Sequence, residues 1–245
     1  MKRGDQMYLQ RIKINSEKFP VYNTFPFNIK AFQTNQDLEI RSKIVFFSGE
    51  NGVGKSALLD AIARKCGFMP WGGSKTHRSH SNPYETQLAH FIKLDFKARP
   101  KYGFHFRAEV FFNFASSLDD ILLDDPERKQ YFGGGSLNAK SHGESFLTFF
   151  QSYSFNIDGL YLVDEPESAL SPRSQVEFVK ILRRNVESSN KQYFIATLSP
   201  IILACPEAQI FSFSETGINS TSFCNTDVYN LYKNFIDDPE GAYRS

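Results

Sequence analysis

Apolar residues alternate with polar ones, or run unbroken for a few positions, at Tyr8 to Ile14, Lys43 to Phe47, Phe91 to Phe96, Gly103 to Arg107, Gly159 to Val163, Gln192 to Ala196 and Gln209 to Phe213. These stretches are rich in Val, Ile, Phe and Tyr and are predicted as strands. Between them the period lengthens. Ser56 to Lys65 and Ser171 to Val186 repeat at helical spacing, the second opened by Ser171 as N-cap with Pro172 in the first helical position. Val176, Val179, Leu182 and Val186 would form its buried stripe. A further helical run covers Glu144 to Tyr153. Strands alternating with helices predict an α/β fold whose core sheet is mainly parallel. The early strands at Tyr8 to Ile14 and around Phe27, with the two flanking residues 97 to 102, are expected to form an antiparallel layer beside it. Gly67 to Glu85 and the Gly-Gly-Gly-Ser of residues 133 to 136 read as loops, and no heptad run or longer repeat is visible.

Composition narrows the class of protein. With 245 residues the chain can bury roughly 70 to 75% of its unfolded surface and needs no staple to hold a core. It is expected to form one domain over residues 1 to 245, with a helical part at roughly 110 to 158. The 28 basic and 27 acidic residues leave a net charge of +1. That balance gives no general field for nucleic acid or an anionic membrane, so nucleic-acid contact is expected only through a partner or a local patch. Cys66, Cys205 and Cys224 are scattered, without a CxxC pair, which fits a reducing cytoplasm better than a disulfide framework. The start of the chain lacks the apolar core of a signal peptide, and no apolar run reaches the roughly 20 residues of a membrane span.

The sharpest chemistry lies at residues 49 to 56, GENGVGKS, which fit the pattern G-x-x-x-x-G-K-S/T between a strand and a helix. Gly49, Glu50, Asn51, Gly52, Val53 and Gly54 would curl backbone N–H groups around a polyphosphate at a helix N-terminus that continues into Ala57. Lys55 would reach the β and γ phosphates and the Ser56 hydroxyl would ligate magnesium, so ATP and Mg2+ are the expected ligands. A second strand, Gly159 to Val163, delivers Asp164 and Glu165 at its end. An acid there suits a magnesium ligand, Asp164, followed by a general base for water, Glu165. Glu167 reads as a surface or interface acid.

With these motifs the chain resembles the ATP-binding-cassette superfamily, and within it the small stand-alone AAA-family ATPases related to SMC and RecF-like heads. Ser141-His142-Gly143-Glu144-Ser145 is similar to the LSGGQ signature loop, Ser168-Ala169-Leu170-Ser171 to the D-loop, and Thr197-Leu198-Ser199-Pro200 to the switch segment T-H-S-P. The resemblance implies a head-to-tail dimer around two ATP molecules, with Ser141 and Gly143 of one subunit facing the γ-phosphate held by the other. It also implies a Q-loop near the end of the strand at Gly103, where Glu109 is the positional candidate and Gln87 a poor one. Leu198 stands where the switch histidine belongs. It is expected to point at the γ-phosphate and to slow hydrolysis. Tyr22, Phe25 and Phe27 are candidates for stacking on adenine, although aromatics at such positions are usually core. The loop bearing Lys75, His77, Arg78 and His80 reads as solvated.

The functional expectation is an ATP-hydrolysing head, the motor or switch of a DNA-maintenance or anti-phage defence system acting through an effector partner. Two other readings remain open: the ATP-binding subunit of an ABC transporter, and a low-turnover ATP sensor.

Overall fold

The computed structural model describes residues 7–68, 70–71, 82–110, 142–152 and 157–243. At its centre lie β7 (Gly159–Asp164) and β8 (Lys191–Ala196), every residue of which is buried. Strands covered on both faces read as unbroken apolar runs, which is how these two appear in the sequence. Beside β8 runs β3 (Ile44–Ser48), and beyond it β9 (Gln209–Ser214) and β10 (Gly217–Thr221). On the other side of β7 come β6 (Gly103–Arg107) and β4 (Pro70–Trp71), giving the order β10-β9-β3-β8-β7-β6-β4. Only the β9 and β10 pair is antiparallel.

A smaller antiparallel sheet, in the order β2-β1-β5, is built from β1 (Leu9–Ile14), β2 (Gln36–Glu39) and β5 (Ile92–Phe96). The expected antiparallel layer therefore exists with different members. Phe27 sits in a turn, and Gly103–Arg107 pairs parallel with β7 in the main sheet. The short loop at residues 97 to 102 suggested one antiparallel layer for both flanking strands, but sheet membership is decided by long-range pairing that local periodicity does not contain.

The period-2 alternation divides the core into two. Val45, Phe47, Leu160, Leu162, Phe194 and Ala196 face one side of the main sheet, where they meet α1 (Lys55–Cys66) and the inner face of β1. Ile44, Phe46, Tyr161, Val163, Tyr193 and Ile195 face the other, against α3 (His142–Gln151) and α4 (Pro172–Ser188). Buried Gln192 fastens the two sheets together: its Oε1 accepts the N–H groups of Leu9 and Tyr8 at 2.8 and 3.1 Å, and its Nε2 donates to the Leu9 carbonyl at 2.9 Å. Three orphan backbone groups at the edge of β1 are satisfied by one amide.

Helix α4 starts as its sequence indicates, with Ser171 Oγ accepting the Ser174 N–H and Pro172 in the first turn. Its buried face is displaced from the expected stripe. Gln175, Phe178, Ile181 and Leu182 are the buried residues, Val179 and Val186 flank them, and Val176 is 43% exposed. Phe178 decides the orientation by packing against Phe146 and Phe150 of α3, with ring centroids 5.9 and 5.0 Å away. Among the described residues, three more short or peripheral helices are α2 (Leu88–Phe91), α5 (Pro200–Leu203) and α6 (Asp227–Asp237).

Candidate nucleotide-binding site

The loop between β3 and α1 holds residues 49–54. Gly49 has φ 135° and Gly54 φ 107°, both in the region that favours glycine. A Cβ on Gly49 would lie 2.4 Å from the Phe213 carbonyl oxygen, and one on Gly54 would lie 2.7 Å from Phe32. The two outer glycines of the pattern are thus demanded by backbone shape. Lys55 folds back over the loop, its buried Nζ donating to the carbonyls of Gly49 at 2.6 Å and Glu50 at 2.9 Å. Burial lowers the pKa of the ammonium, and Glu165, Asp164 and Glu167 oppose that shift by favouring its charge.

At the second position of α1, Ser56 Oγ donates to Asp164 Oδ1 across 2.9 Å. Positions 108 residues apart in the chain are thereby joined at the mouth of the sheet. Burial pushes the Asp164 carboxyl up to about 6, against the hydrogen bond from Ser56 and the charge of Arg107. A hydroxyl and a carboxylate short of compensating charge suit a hard divalent cation. Among the described residues no group of three or more His, Cys, Asp or Glu could cage a metal.

Glu165 follows Asp164 in the left-handed region, at φ 50° and ψ 54°, exposed, with its N–H bonded to the Ala196 carbonyl. A non-glycine residue there costs roughly 1 kcal/mol, and such strain gathers at functional turns. Glu167, expected as a surface or interface acid, turns its carboxylate inward. Burial raises its pKa, and its carboxylate accepts the Thr197 hydroxyl at 2.8 Å and the Leu198 N–H. Leu198, expected to face the γ-phosphate, is partly buried and packs against the core cluster that contains Phe146, Phe178 and Ile195. An apolar side chain gains more there than at a charged site.

Other expected residues fall as follows. Ser141 lies outside the described residues, as do Lys75, His77, Arg78, His80 and residues 133 to 136. Gly143 stands in the first turn of α3, and a Cβ there would meet Ser174 Oγ at 3.4 Å and the Ala169 carbonyl at 3.5 Å, ordinary contacts that do not require glycine. Glu109 is 72% exposed. Gln87 precedes α2 and donates to the Pro83 carbonyl. The residue that the sequence did not single out is Arg107. It ends β6, lies in register with Asp164, and bonds Asp60 of α1 at 2.6 Å while its Nε stands 3.9 Å from Asp164 Oδ2. A lone arginine at a strand end carries no spacing signal.

Two clefts adjoin the loop. One, of about 350 Å³, is lined by Phe25, Asn28, Lys30, Asn51, Gly52 and Val53. The other, of about 330 Å³, is lined by Ser56, Ala57, Asp60, Arg64, Arg107 and Phe25. Phe25 is 44% exposed and common to both. Phe27 is fully buried against Phe19 and Phe91, and the Tyr22 hydroxyl donates to the Ser16 carbonyl. A larger cleft of about 840 Å³ lies on α6, with Leu231, Tyr232 and Phe235 beside Asp237 and Asp238. Apolar and acidic, it is unsuited to a polyphosphate.

A family model described as AAA domain (AAA_23) matches residues 27–215, which span the loop, Asp164 and the switch segment. The chain belongs to the AAA domain family. No curated protein matches it in sequence. Two solved structures resemble this AAA domain in fold. One is an ABC transporter of metal-chelate type in an inward-facing conformation, at 16% identity and TM-score 0.50, covering 92% of this chain and 88% of the other. The second is an SMC head bound to the C-winged helix domain of ScpA, at 11% identity and TM-score 0.50, covering 88% and 98%. The fold of this AAA domain is that of ABC and SMC ATPase heads. No helix among its described residues is long and apolar enough to cross a membrane.

Proposed function

We propose that the chain is an ATPase that binds ATP with magnesium in the loop of residues 49–56 and dimerises around it. The observation that carries this reading is the Ser56 to Asp164 bond, which brings a hydroxyl and a carboxylate to the N-terminus of α1 beside the loop-bound Lys55. Lys55 and the loop N–H groups would meet the β and γ phosphates, and Ala57 would extend the helix start behind them. Phe25, exposed at the rim of the cleft formed with Asn51 to Val53, is the aromatic best placed for adenine. Ser56 and Asp164 would hold the magnesium ion, which offsets phosphate charge. Glu165 would take the proton of the attacking water. Ser141, together with Gly143 in the first turn of α3, would serve the partner copy's γ-phosphate. The chain would act as one domain, as the motor or switch of a DNA-maintenance or anti-phage defence system with an effector protein.

A low-turnover sensor is a second reading, favoured by Leu198: a leucine side chain has no donor to offer the γ-phosphate, and this one packs partly buried against the core. Light scattering with ATP and magnesium tests the dimer. Glu165→Gln should accumulate as a dimer, because loss of a general base costs roughly 10² to 10⁴ in rate while phosphate contacts remain. Ser141→Arg should stay monomeric. A wild type and a Glu165→Gln variant that are both monomeric with ATP, or a dimeric Ser141→Arg, would overturn the head-to-tail arrangement.

A further inference from the structure

We infer that Glu167 is a positioning residue for hydrolysis, clamping the acidic turn that carries Asp164 and Glu165 to the switch segment of residues 197–199. The inference rests on the ATPase reading above and adds to it a residue that acts through its bonds to Thr197 and Leu198.

The clamp is a continuous polar network in the interior. Glu167 Oε2 accepts the Thr197 hydroxyl at 2.8 Å, and Oε1 accepts the Leu198 backbone N–H. With its proton given to Glu167, Thr197 Oγ1 is left to accept the Ser199 N–H at 3.0 Å. Ser199 Oγ in turn donates to Gln175 Oε1 of α4, whose Nε2 donates to the Leu170 carbonyl at 2.9 Å, back in the turn where the circuit began. Thr197, Ser199 and Gln175 are all buried, and the Glu165 N–H is tied to the Ala196 carbonyl. The turn and the switch segment are therefore joined at both ends and through α4.

The chemistry calls for a carboxylate of this length. An ionised acid accepts from both donors, whereas an amide would present one NH₂ group to an N–H or O–H donor and break the direction of the chain. The clamp grips the switch segment by its backbone, so its hold does not depend on the side chain at 198. A 1 Å misplacement of a reacting group can cost about 10²-fold in rate, and the groups at stake here are Glu165 on one side of the clamp and the end of β8 on the other.

Single-turnover phosphate release and calorimetric ATP affinity, measured on wild type, Glu167→Ala, Thr197→Val, Thr197→Ser and the double variant Glu167→Ala/Thr197→Val, test the inference. Glu167→Ala should slow release by about 10-fold or more, with affinity changed by less than about 3-fold. Thr197→Val should slow it as well, Thr197→Ser should restore it, and the double variant should lose clearly less than the two single losses combined, because Glu167 and Thr197 share one contact. Should Glu167→Ala fail to fold, the Thr197→Val and Thr197→Ser pair decides alone. A release rate per folded molecule equal to wild type in Glu167→Ala or Thr197→Val, or additive losses in the double variant, would overturn the positioning role while leaving the ATPase reading standing. A wild type that neither binds nor cleaves ATP would overturn both.

Discussion

Arg107 and Asp164 close β6 and β7 in register, with Arg107 Nε 3.9 Å from Asp164 Oδ2 and the far end of the guanidinium 2.6 Å from Asp60 Oδ2. One cation thus serves two acids at the foot of the phosphate-loop helix. Both Arg107 and Asp60 keep less than a third of their side-chain surface exposed, which makes their pair stronger than an ordinary surface bridge.

Arg107→Ala should therefore cost about 1 to 3 kcal/mol, because Asp60 is left half-buried without its partner. Urea denaturation of Arg107→Ala, Asp60→Asn and the double variant checks it. The double variant should recover part of the loss, whereas strictly additive losses would show that the pair contributes nothing.

Asp164 should act in the opposite sense. Its carboxyl is raised in the folded chain to about 6 from 3.8, so the folded state binds more protons than the unfolded one between those values. Relative to its ionised form, the group contributes stability that is fully present below pH 3.8 and lost as pH rises through 6. Asp164→Asn should therefore stabilise the nucleotide-free protein at pH 7.5 by on the order of 2 kcal/mol, and the gain should vanish below about pH 4. Thermal unfolding at both pH values measures it. The same variant should lose magnesium-dependent ATP binding.

Phe178→Ala should be among the costliest core changes, at about 3 to 5 kcal/mol, since it empties the space between α4 and the Phe146 and Phe150 rings. Val176→Ala, on the exposed side of the same helix, should stay within about 0.5 kcal/mol. Equal losses from the two would place the buried face where the sequence first suggested it.

Leu198→His should not accelerate phosphate release, because the side chain at 198 packs, partly buried, against the core cluster. It should cost about 1 to 3 kcal/mol by placing a polar ring among Phe and Ile side chains. Faster steady-state turnover in this variant would return residue 198 to the γ-phosphate.

The sequence made the strands, the phosphate loop and its acidic partner legible because each has a local signature: apolar runs at β3, β7 and β8, GENGVGKS between β3 and α1, and Asp164 at a strand end. What it concealed depends on partners distant in the chain. β10 has only Ile218 as a large apolar residue and is a strand because it pairs with β9. Glu167 reads as one more acid in an acidic turn until Thr197 and Leu198 are folded against it. Leu198 fits a switch motif by position, yet the apolar environment beneath it decides where the side chain goes.

Calorimetric titration of wild type and Lys55→Ala with ATP and magnesium tests the nucleotide-site assignment most directly. Lys55 is the buried cation that the loop holds by two carbonyls, and removing it leaves phosphate charge uncompensated. Saturable binding to wild type, weakened at least about tenfold in Lys55→Ala, is the expected result. Equal affinities in the two proteins, or no binding to wild type, would contradict it.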